Sequence, residues 1–500
     1  METTLLFALP LFLASVFAII MPLIDLMVKK NKGAIFGITI LGFVALLMLN
    51  VYLLLNPVFT SGTSVLHPES FLGGLLKNSI VLGSYTVLFD IMFLLGGIMT
   101  LFAAKQYLAK ENYELKEFYS LLTFSLVGMM FIAHSNSLLI LFLGIELMSI
   151  SFFVLSGFFR TKLSSIEASV KYFLLGAFAT GFLVFGISLI YGATGSVELN
   201  VISSKILTNQ FNHVYFTIGI ALLFVGLAFK ASTFPFHQWA PDVYTGAPTI
   251  VTTFMSTVGK TSSFVAFIIV SKALITSIPG DELTLFSSKL SLYSREIIAV
   301  IAALTMLVGN ITALVQKNVK RMLAFSSVAH AGYILIGIAS NNPDGWSGMV
   351  FYTFAYIFMQ IGAFVIVSLI EKEDETFLNL NDYNGLSKSN PFLAVAMSIF
   401  MFSLVGLPPF GGFFGKYYLF LSAIKADMLW LTVIAVISSL ISIYFYIGLV
   451  INMYFKEQDT EQEKVKLGLA NVSIIIAIFG ILYLGIFPSQ LINLALSFFK

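Results

Sequence analysis

Residues 226–274 read GLAFKASTFPFHQWAPDVYTGAPTIVTTFMSTVGKTSSFVAFIIVSKAL. The run 249–274 is long and apolar enough to cross a hydrocarbon layer of roughly 30 Å, which takes about 20 helical residues. Lys260 stands near its centre, at least about eight residues, or roughly 12 Å, from either end. Its amine cannot easily reach the interface, so it must face protein or water. Upstream, Pro235, Pro241 and Pro248 remove backbone donors and interrupt the helix that would otherwise run on from Lys230. Broken backbone at membrane depth is tolerated only against protein or a watery cavity. The stretch therefore predicts a membrane helix bundle with a polar interior.

The whole chain agrees. Of 500 residues, 58% are hydrophobic and 10% charged, and the mean hydropathy is +0.96, outside the balance of soluble domains. Apolar runs between charged or turn-rich breaks fall at 4–24, 33–55, 81–104, 118–135, 137–159, 168–194, 213–232, 249–274, 295–316, 318–340, 346–370, 391–424, 427–455 and 468–488. This predicts an all-α polytopic membrane protein of about fourteen transmembrane helices. The run 391–424 is too long for one plain crossing, and Pro408, Pro409 and a glycine cluster interrupt it beside Lys416. The first span follows METT with no basic n-region and no small-residue cleavage site, which marks it as a retained helix.

Composition also excludes functions. A formal net charge of +2 and a pI near 8.4 give no basic patch for nucleic acid. With no cysteine, thiolate-ligated iron–sulfur clusters, disulfides and thiol catalysis are excluded within the chain, so any redox centre belongs to a partner. Five scattered histidines form no metal-ligand pattern, and no phosphate-binding glycine motif occurs.

An even number of spans puts both termini on one side. Loops after odd-numbered spans hold sixteen of the 27 Lys and Arg; loops after even-numbered spans, with Lys272 at a helix edge and the C-terminus, hold seven. The positive-inside rule then predicts odd loops in the cytoplasm and both termini on the periplasmic side. The remaining four, Lys171, Lys230, Lys260 and Lys416, fall within spans.

A charge at mid-bilayer costs at least about 2.5–3.5 kcal/mol, so each of these residues needs a reason. Lysine, unlike arginine, releases its proton where the surroundings disfavour charge, as a reversible proton carrier must. Lys260 fits that role best. Lys230 lies nearer a span end, where snorkelling competes with function. Lys230 and Lys416 each sit at an interrupted span, the seventh and the twelfth. That five-span offset predicts two inverted five-helix repeats, spans 4–8 and 9–13, with discontinuous helices 7 and 12 and a transport path between them. The corresponding units are 1–117, 118–274, 295–455 and 456–500. Glu146, in LLILFLGIELMSISFFVL, reads as a buried carboxylate with no charge beside it on its own helix; if ionised it requires a cation from another helix, most simply Lys230, and otherwise it is protonated and hydrogen-bonded for packing. Lys171 and Glu167, one turn apart, read equally as a surface pair. His330, near Ser326, Ser327 and Tyr333, is either a relay or a hydrogen-bonded core residue. His237 lies in the broken stretch and is a candidate for orienting it.

Five segments, GIELMSISFFVLSGF, EASVKYFLLGAFATGFLVFGISLIYGATGS, FKASTFPFHQWAPDVYTGAPTIVTTFMSTVGK, NVKRMLAFSSVAHAGY and GLPPFGGFFGKYYLF, together resemble the antiporter-like membrane subunits of bacterial respiratory complex I, NADH-quinone oxidoreductase, and its N-type subunits in particular. The likeness runs from roughly residue 80 to 455. PFHQWAPDVYTGAP is its most specific string: L-type and M-type relatives more often carry PFHxWLPDA, and M-type relatives usually have glutamate where Lys416 stands. Nor does the chain extend far past the fourteenth span, as L-type subunits do. The resemblance implies a proton path with Glu146 and Lys230 as a switching pair, Lys260 as central relay and Lys416 facing the outlet. Lys171 matches a further lysine of N-type subunits, and His330 and His237 match positions commonly polar in the family. It also implies a bacterial inner (cytoplasmic) membrane and no cofactor in this chain, with NAD, FMN, iron–sulfur clusters and quinone in partner subunits. The expected partners are the M-type and L-type subunits, small K-type and J-type subunits, and the lipid bilayer. Multisubunit Mrp-type Na+/H+ antiporters and membrane-bound hydrogenases share much of this helix code and form the alternative. A membrane scaffold whose lysines only hold the broken helices is a third reading.

Overall fold

Backbone in hydrocarbon must satisfy its own polar groups, and this chain does so almost wholly as helix. The computed structural model describes residues 2–28, 32–55, 64–65, 79–111, 113, 115–275, 285–372, 376, 378–457, 464–466 and 468–499. The first half holds α1 (Glu2–Met27), α2 (Lys32–Leu55), α3 (Ser84–Lys110), α4 (Glu117–Ala133), α5 (Leu138–Ser156), α6 (Leu163–Thr194), α7 (Leu199–Leu207), α8 (His213–Lys230), α9 (Trp239–Gly246) and α10 (Thr249–Leu274). The second holds α11 (Leu285–Leu314), α12 (Val319–Ser340), α13 (Pro343–Ile370), α14 (Pro391–Val405), α15 (Gly411–Lys425), α16 (Leu429–Phe455), α17 (Leu469–Ile486) and α18 (Pro488–Ser497). A two-residue antiparallel ladder pairs Ser64–Val65 with Val81–Leu82.

Among the described residues twelve helices are long and apolar enough to cross a membrane, and α4 and α14 are shorter apolar helices. Each expected span falls on a helix, with shifted ends: the sixth starts at Leu163 and the ninth at Leu285, earlier than the apolar runs themselves. The span reading omitted the short helices α7 and α18. Lys320, read as a loop lysine, is instead buried in the first turn of α12, where its Nζ donates to the Ala247 carbonyl at 2.7 Å. Lys29, Lys30, Lys77 and Lys500, used to orient the chain, lie outside the described residues.

Burial runs opposite to that of a soluble protein. Helices α3, α10, α12 and α13 are enclosed nearly all round, whereas α1, α2, α6 and α16 leave most of their surface open. What they expose is apolar, as with Leu174, Phe178 and Phe185 on α6 and Leu440 and Tyr444 on α16, the surface expected to face lipid tails. Helices approach closely at small residues. In α4 and α5, a Cβ on Gly128 would come within 2.6 Å of the Met148 nitrogen and 2.7 Å of the Gly144 carbonyl.

Two breaks matter for the site. The run 391–424 splits into α14 and α15 around Gly406, whose φ is +91° and whose Cβ would lie 3.0 Å from Lys416 Cδ, so both backbone and space demand glycine. Between α8 and α9 the chain turns through Ser232 at φ +58° and a cis Phe234–Pro235 bond. The groups freed there are paired: Trp239 Nε1 donates to the Phe229 carbonyl at 3.0 Å, and the Phe234 N–H donates to Thr305 Oγ1 at 3.0 Å.

The glycine crossing is testable. Gly128→Val should lower stability by about 1–3 kcal/mol, as overpacking does, read as a fall in the melting temperature of the detergent-solubilised protein. Gly181→Val, where no atom lies within 4 Å of an added Cβ, should shift it little. Equal effects would show that the α4–α5 contact is not close-packed.

Candidate functional site

The site grows from the first break. Lys230 closes α8, and its Nζ donates to Ser149 Oγ on α5 at 2.6 Å. Glu146 lies one turn earlier on α5, with Oε1 3.9 Å from the same amine and 2.8 Å from Thr180 Oγ1, which donates to it from α6. Lys230 is buried and does not snorkel. Glu146 departs from its expected burial: its side chain keeps 21% exposure, because it shares the outward edge of α5 with the exposed Leu139, Leu143 and Ile150. The Lys230 carbonyl accepts from Ser263 Oγ at 3.3 Å, which ties the pair to α10.

One turn before Ser263, Lys260 follows a π-helical turn, Met255–Gly259, of the kind that often marks functional positions. Its Nζ donates to the Ser327 carbonyl at 2.8 Å and to Ser327 Oγ at 2.9 Å on α12. The next turn of α12 carries His330, whose Nδ1 lies 2.6 Å from the Tyr352 hydroxyl and whose Nε2 lies 3.0 Å from the Tyr446 hydroxyl. Tyr446 also hydrogen-bonds Ser326. One turn further on, the Tyr333 ring centroid is 4.7 Å from Lys416 Nζ. That amine donates to the Leu404 carbonyl at 3.1 Å, the Val405 carbonyl at 2.8 Å and Ser439 Oγ at 2.9 Å. A cavity of about 280 Å³ reaches Lys416 and Ser439. The structure thus brings Glu146, Lys230, Lys260, His330 and Lys416 into one polar series through the helix core.

It does not bring Lys171 or His237 into that series. Lys171 is 44% exposed and pairs with Glu167 at 2.7 Å and Asp242 at 3.4 Å, where Arg321 also pairs with Asp242 at 2.9 Å. His237 lies in the break, stacked on Phe234 at 5.8 Å.

The family described as NADH:quinone oxidoreductase/Mrp antiporter, transmembrane, matches residues 135–442, the stretch that contains Glu146, Lys230, Lys260, His330 and Lys416. A relative in Trichlorobacter lovleyi, NADH-quinone oxidoreductase subunit N, is 42% identical over 422 residues, covering 84% of each chain. This chain belongs to the subunit N family. A chain of respiratory complex I from Thermus thermophilus superposes on this N-family chain with a TM-score of 0.79 at 29% identity, over 97% of this chain and 98% of that one. A chain of the Mrp complex from Dietzia sp. DQ12-45-1b shares the fold, with a TM-score of 0.82 at 21% identity over 99% and 96%. Among the described residues no group of three or more His, Cys, Asp or Glu could hold a metal ion.

Some polar groups of this N-family chain escaped the sequence reading. Asp90 on α3 and His134 at the end of α4 form a buried pair at 2.9 Å, away from the lysine series; a lone aspartate inside SYTVLFDIMFLL was the available signal. Ser149, Thr180, Tyr352, Tyr446 and Ser439 complete the series but look like ordinary helix residues in sequence. Only Ser149, one turn after Glu146, stood at a telling spacing.

The 3.9 Å contact predicts coupling between α5 and α8. In thermal unfolding of Glu146→Gln, Lys230→Met and the double variant, the pair should show an interaction of about 0.5–1 kcal/mol. Strictly additive changes would mean that the two charges do not sense each other.

Proposed function

We propose that the chain is the proton-translocating N-type membrane-arm subunit of NADH-quinone oxidoreductase, moving protons along Glu146, Lys230, Lys260 and Lys416 while partner chains oxidise NADH and reduce quinone. The single observation that carries this is the succession of amines, hydroxyls and imidazole, buried beyond Glu146, that runs from α5 to α15 in a chain of the subunit N family. Glu146 and Lys230 act as the switching pair: neutralising either releases the other to exchange a proton. Ser149 meets the Lys230 amine, and Ser263, one turn after Lys260, holds α10 against the Lys230 carbonyl. Lys260 is the central relay, with Ser327 and His330 leading on towards Lys416. His237 and Lys171 have secondary roles, the first in shaping the break and the second in the ion cluster at its rim.

In this reading the chain crosses the membrane fourteen times. At 17 residues α4 is near the lower limit for a span, and α14 with α15 makes one broken crossing. Residues 118–274 and 295–455 form inverted repeats, flanked by 1–117 and 456–500. Matching small-residue contacts support them: α4 meets α5 at Gly128 and Gly144 as α11 meets α12 at Gly309 and Gly332, and α6 meets α8 at Gly186 and Gly219 as α13 meets α15 at Gly348 and Gly415. Charge asymmetry supports periplasmic termini in a bacterial inner membrane. M-type, L-type, K-type and J-type subunits are the proposed neighbours, and NAD, FMN, iron–sulfur clusters and quinone belong to other chains. A role in a multisubunit Na+/H+ antiporter has the shared fold in its favour, at 21% identity; the 42% identity to subunit N favours the first reading.

Lys260→Arg separates a carrier from a structural cation. Arginine keeps the charge and can still satisfy the Ser327 carbonyl, but its guanidinium does not give up a proton. In membranes with independently verified assembly, protons moved per NADH oxidised should fall at least about tenfold, the scale of lost acid–base transfer. Wild-type pumping would remove Lys260 from the path, and Na+-driven exchange without NADH would favour the antiporter.

A further inference from the structure

Away from the lysine series, the ends of α3 and α13, the N-cap Asn390 of α14 and the segment 464–466 enclose a cavity of about 430 Å³ at one rim of the bundle. Lys110, Lys372, Lys464 and Lys466 line it, and among the described residues no Asp or Glu does. A second lobe of about 260 Å³ shares Asn390, Lys464 and Val465 with it and opens past Pro391 and Phe392. The segment carrying Lys464 and Lys466 is held by its backbone: the Val465 N–H donates to Asn390 Oδ1 at 2.8 Å, and Gln106 Nε2 donates to the Lys466 carbonyl at 3.1 Å. The lysine side chains are therefore presented by a segment tied at Val465 and Lys466.

Two further features point to what the site takes. Asn471, 8% exposed, lines the second lobe, and neither its Oδ1 nor its Nδ2 has a hydrogen-bond partner. An amide buried in that way is costly unless a ligand or water meets it. The starts of α14 and α17, helices of 15 and 18 residues, converge on the same lobe, and helix N-termini favour anions. Beyond the polar lobes the surface turns apolar, with Phe392, Val395 and Val472 exposed. A free anion has no use for that apolar flank; a molecule with an anionic head and hydrocarbon tails fits both halves.

We propose that this two-lobed cavity binds the phosphate headgroup of an anionic phospholipid, with its acyl chains lying along α14 and α17. Basic pockets between transmembrane helices have the chemistry for such heads. The phosphate sits among Lys372, Lys464 and Lys466, while Asn471 bonds the glycerol or ester oxygens. Lys110 already donates to the Ser368, Leu369 and Glu371 carbonyls at the end of α13 and adds charge from behind. This proposal does not depend on the proton-path reading.

The test uses the native assembly that contains this chain, delipidated in mild detergent and then exposed to mixed micelles of phosphatidylglycerol and phosphatidylethanolamine, or to inorganic phosphate alone. Bound lipid is counted by native mass spectrometry. Phosphatidylglycerol should be retained in preference to phosphatidylethanolamine. Lys464→Gln with Lys466→Gln should weaken that retention about 25-fold, on roughly a fivefold contribution per surface lysine. Lys464→Arg with Lys466→Arg should preserve it, which separates lost charge from lost folding. Equal retention in the wild type and the Gln pair would overturn the proposal. So would inorganic phosphate competing as strongly as the lipid, which would assign the site to a free anion.

Discussion

A backbone carbonyl that leaves its helix inside hydrocarbon must find a donor, and in this chain the donors are frequently the functional amines themselves. Lys416 gives its protons to the Leu404 and Val405 carbonyls, the last of α14, where the break removes their intrahelical partners. Lys260 also donates to a backbone carbonyl, that of Ser327, although α12 is unbroken there. Lys230 stands at the end of α8, with the Phe229 carbonyl met by Trp239 and its own by Ser263. The helix ends created by the breaks carry partial negative charge, which favours a cation there. Breaks and lysines thus need each other.

This arrangement has a chemical consequence. Two of the three core lysines are held by carbonyls and hydroxyls rather than by a carboxylate within 4 Å. A dipole stabilises an ammonium without leaving a full opposite charge behind when the proton departs. An amine so held can lose its proton without orphaning a buried anion, whereas a lysine locked to a buried carboxylate would leave one. The exception is Lys230, whose nearby Glu146 is also the series' partly exposed end. A full charge pair therefore sits at the margin, where solvent or a neighbouring chain can compensate its changes, and dipole-held amines occupy the interior.

How much of this was legible in the sequence follows from the price of each feature. A lysine in mid-span and a proline in an apolar run are so unfavourable in hydrocarbon that Lys260, Lys230 with Pro235, and Lys416 with Pro408 declared themselves, and the helices around them with little ambiguity. Serine, threonine and tyrosine cost little inside a helix, since a hydroxyl can bond its own preceding turn, as Thr257 and Ser442 do. Thr180 and Tyr446 therefore carried no signal, and Ser149 only its spacing from Glu146, although all three complete the series. Asp90 with His134 was missed because its partner lies on another helix, 44 positions away. Glu146 was misjudged in burial because an apolar neighbourhood in sequence does not say which edge of a helix faces outward. Lys320 was misjudged for the converse reason: a lysine beside a loop can still turn inward to a carbonyl such as that of Ala247.

The element that joins the two halves of the core is α12. Ser327, His330 and Tyr333 lie at successive i, i+3 positions, so they form one stripe on a single face, roughly 9 Å from first to last. Ser327 meets Lys260 at one end of that stripe, and Tyr333 stands against Lys416 at the other. His330 between them touches hydroxyls of α13 and α16, so its ring is fixed from two sides. Imidazole can accept on one nitrogen while donating from the other, which a hydroxyl chain alone does less readily over a gap of two helical turns. Helical periodicity, rather than any single contact, is what places the imidazole between the two amines. A shift of one residue along α12 would swing it off the shared face and leave each lysine with its own carbonyls and no path to the other.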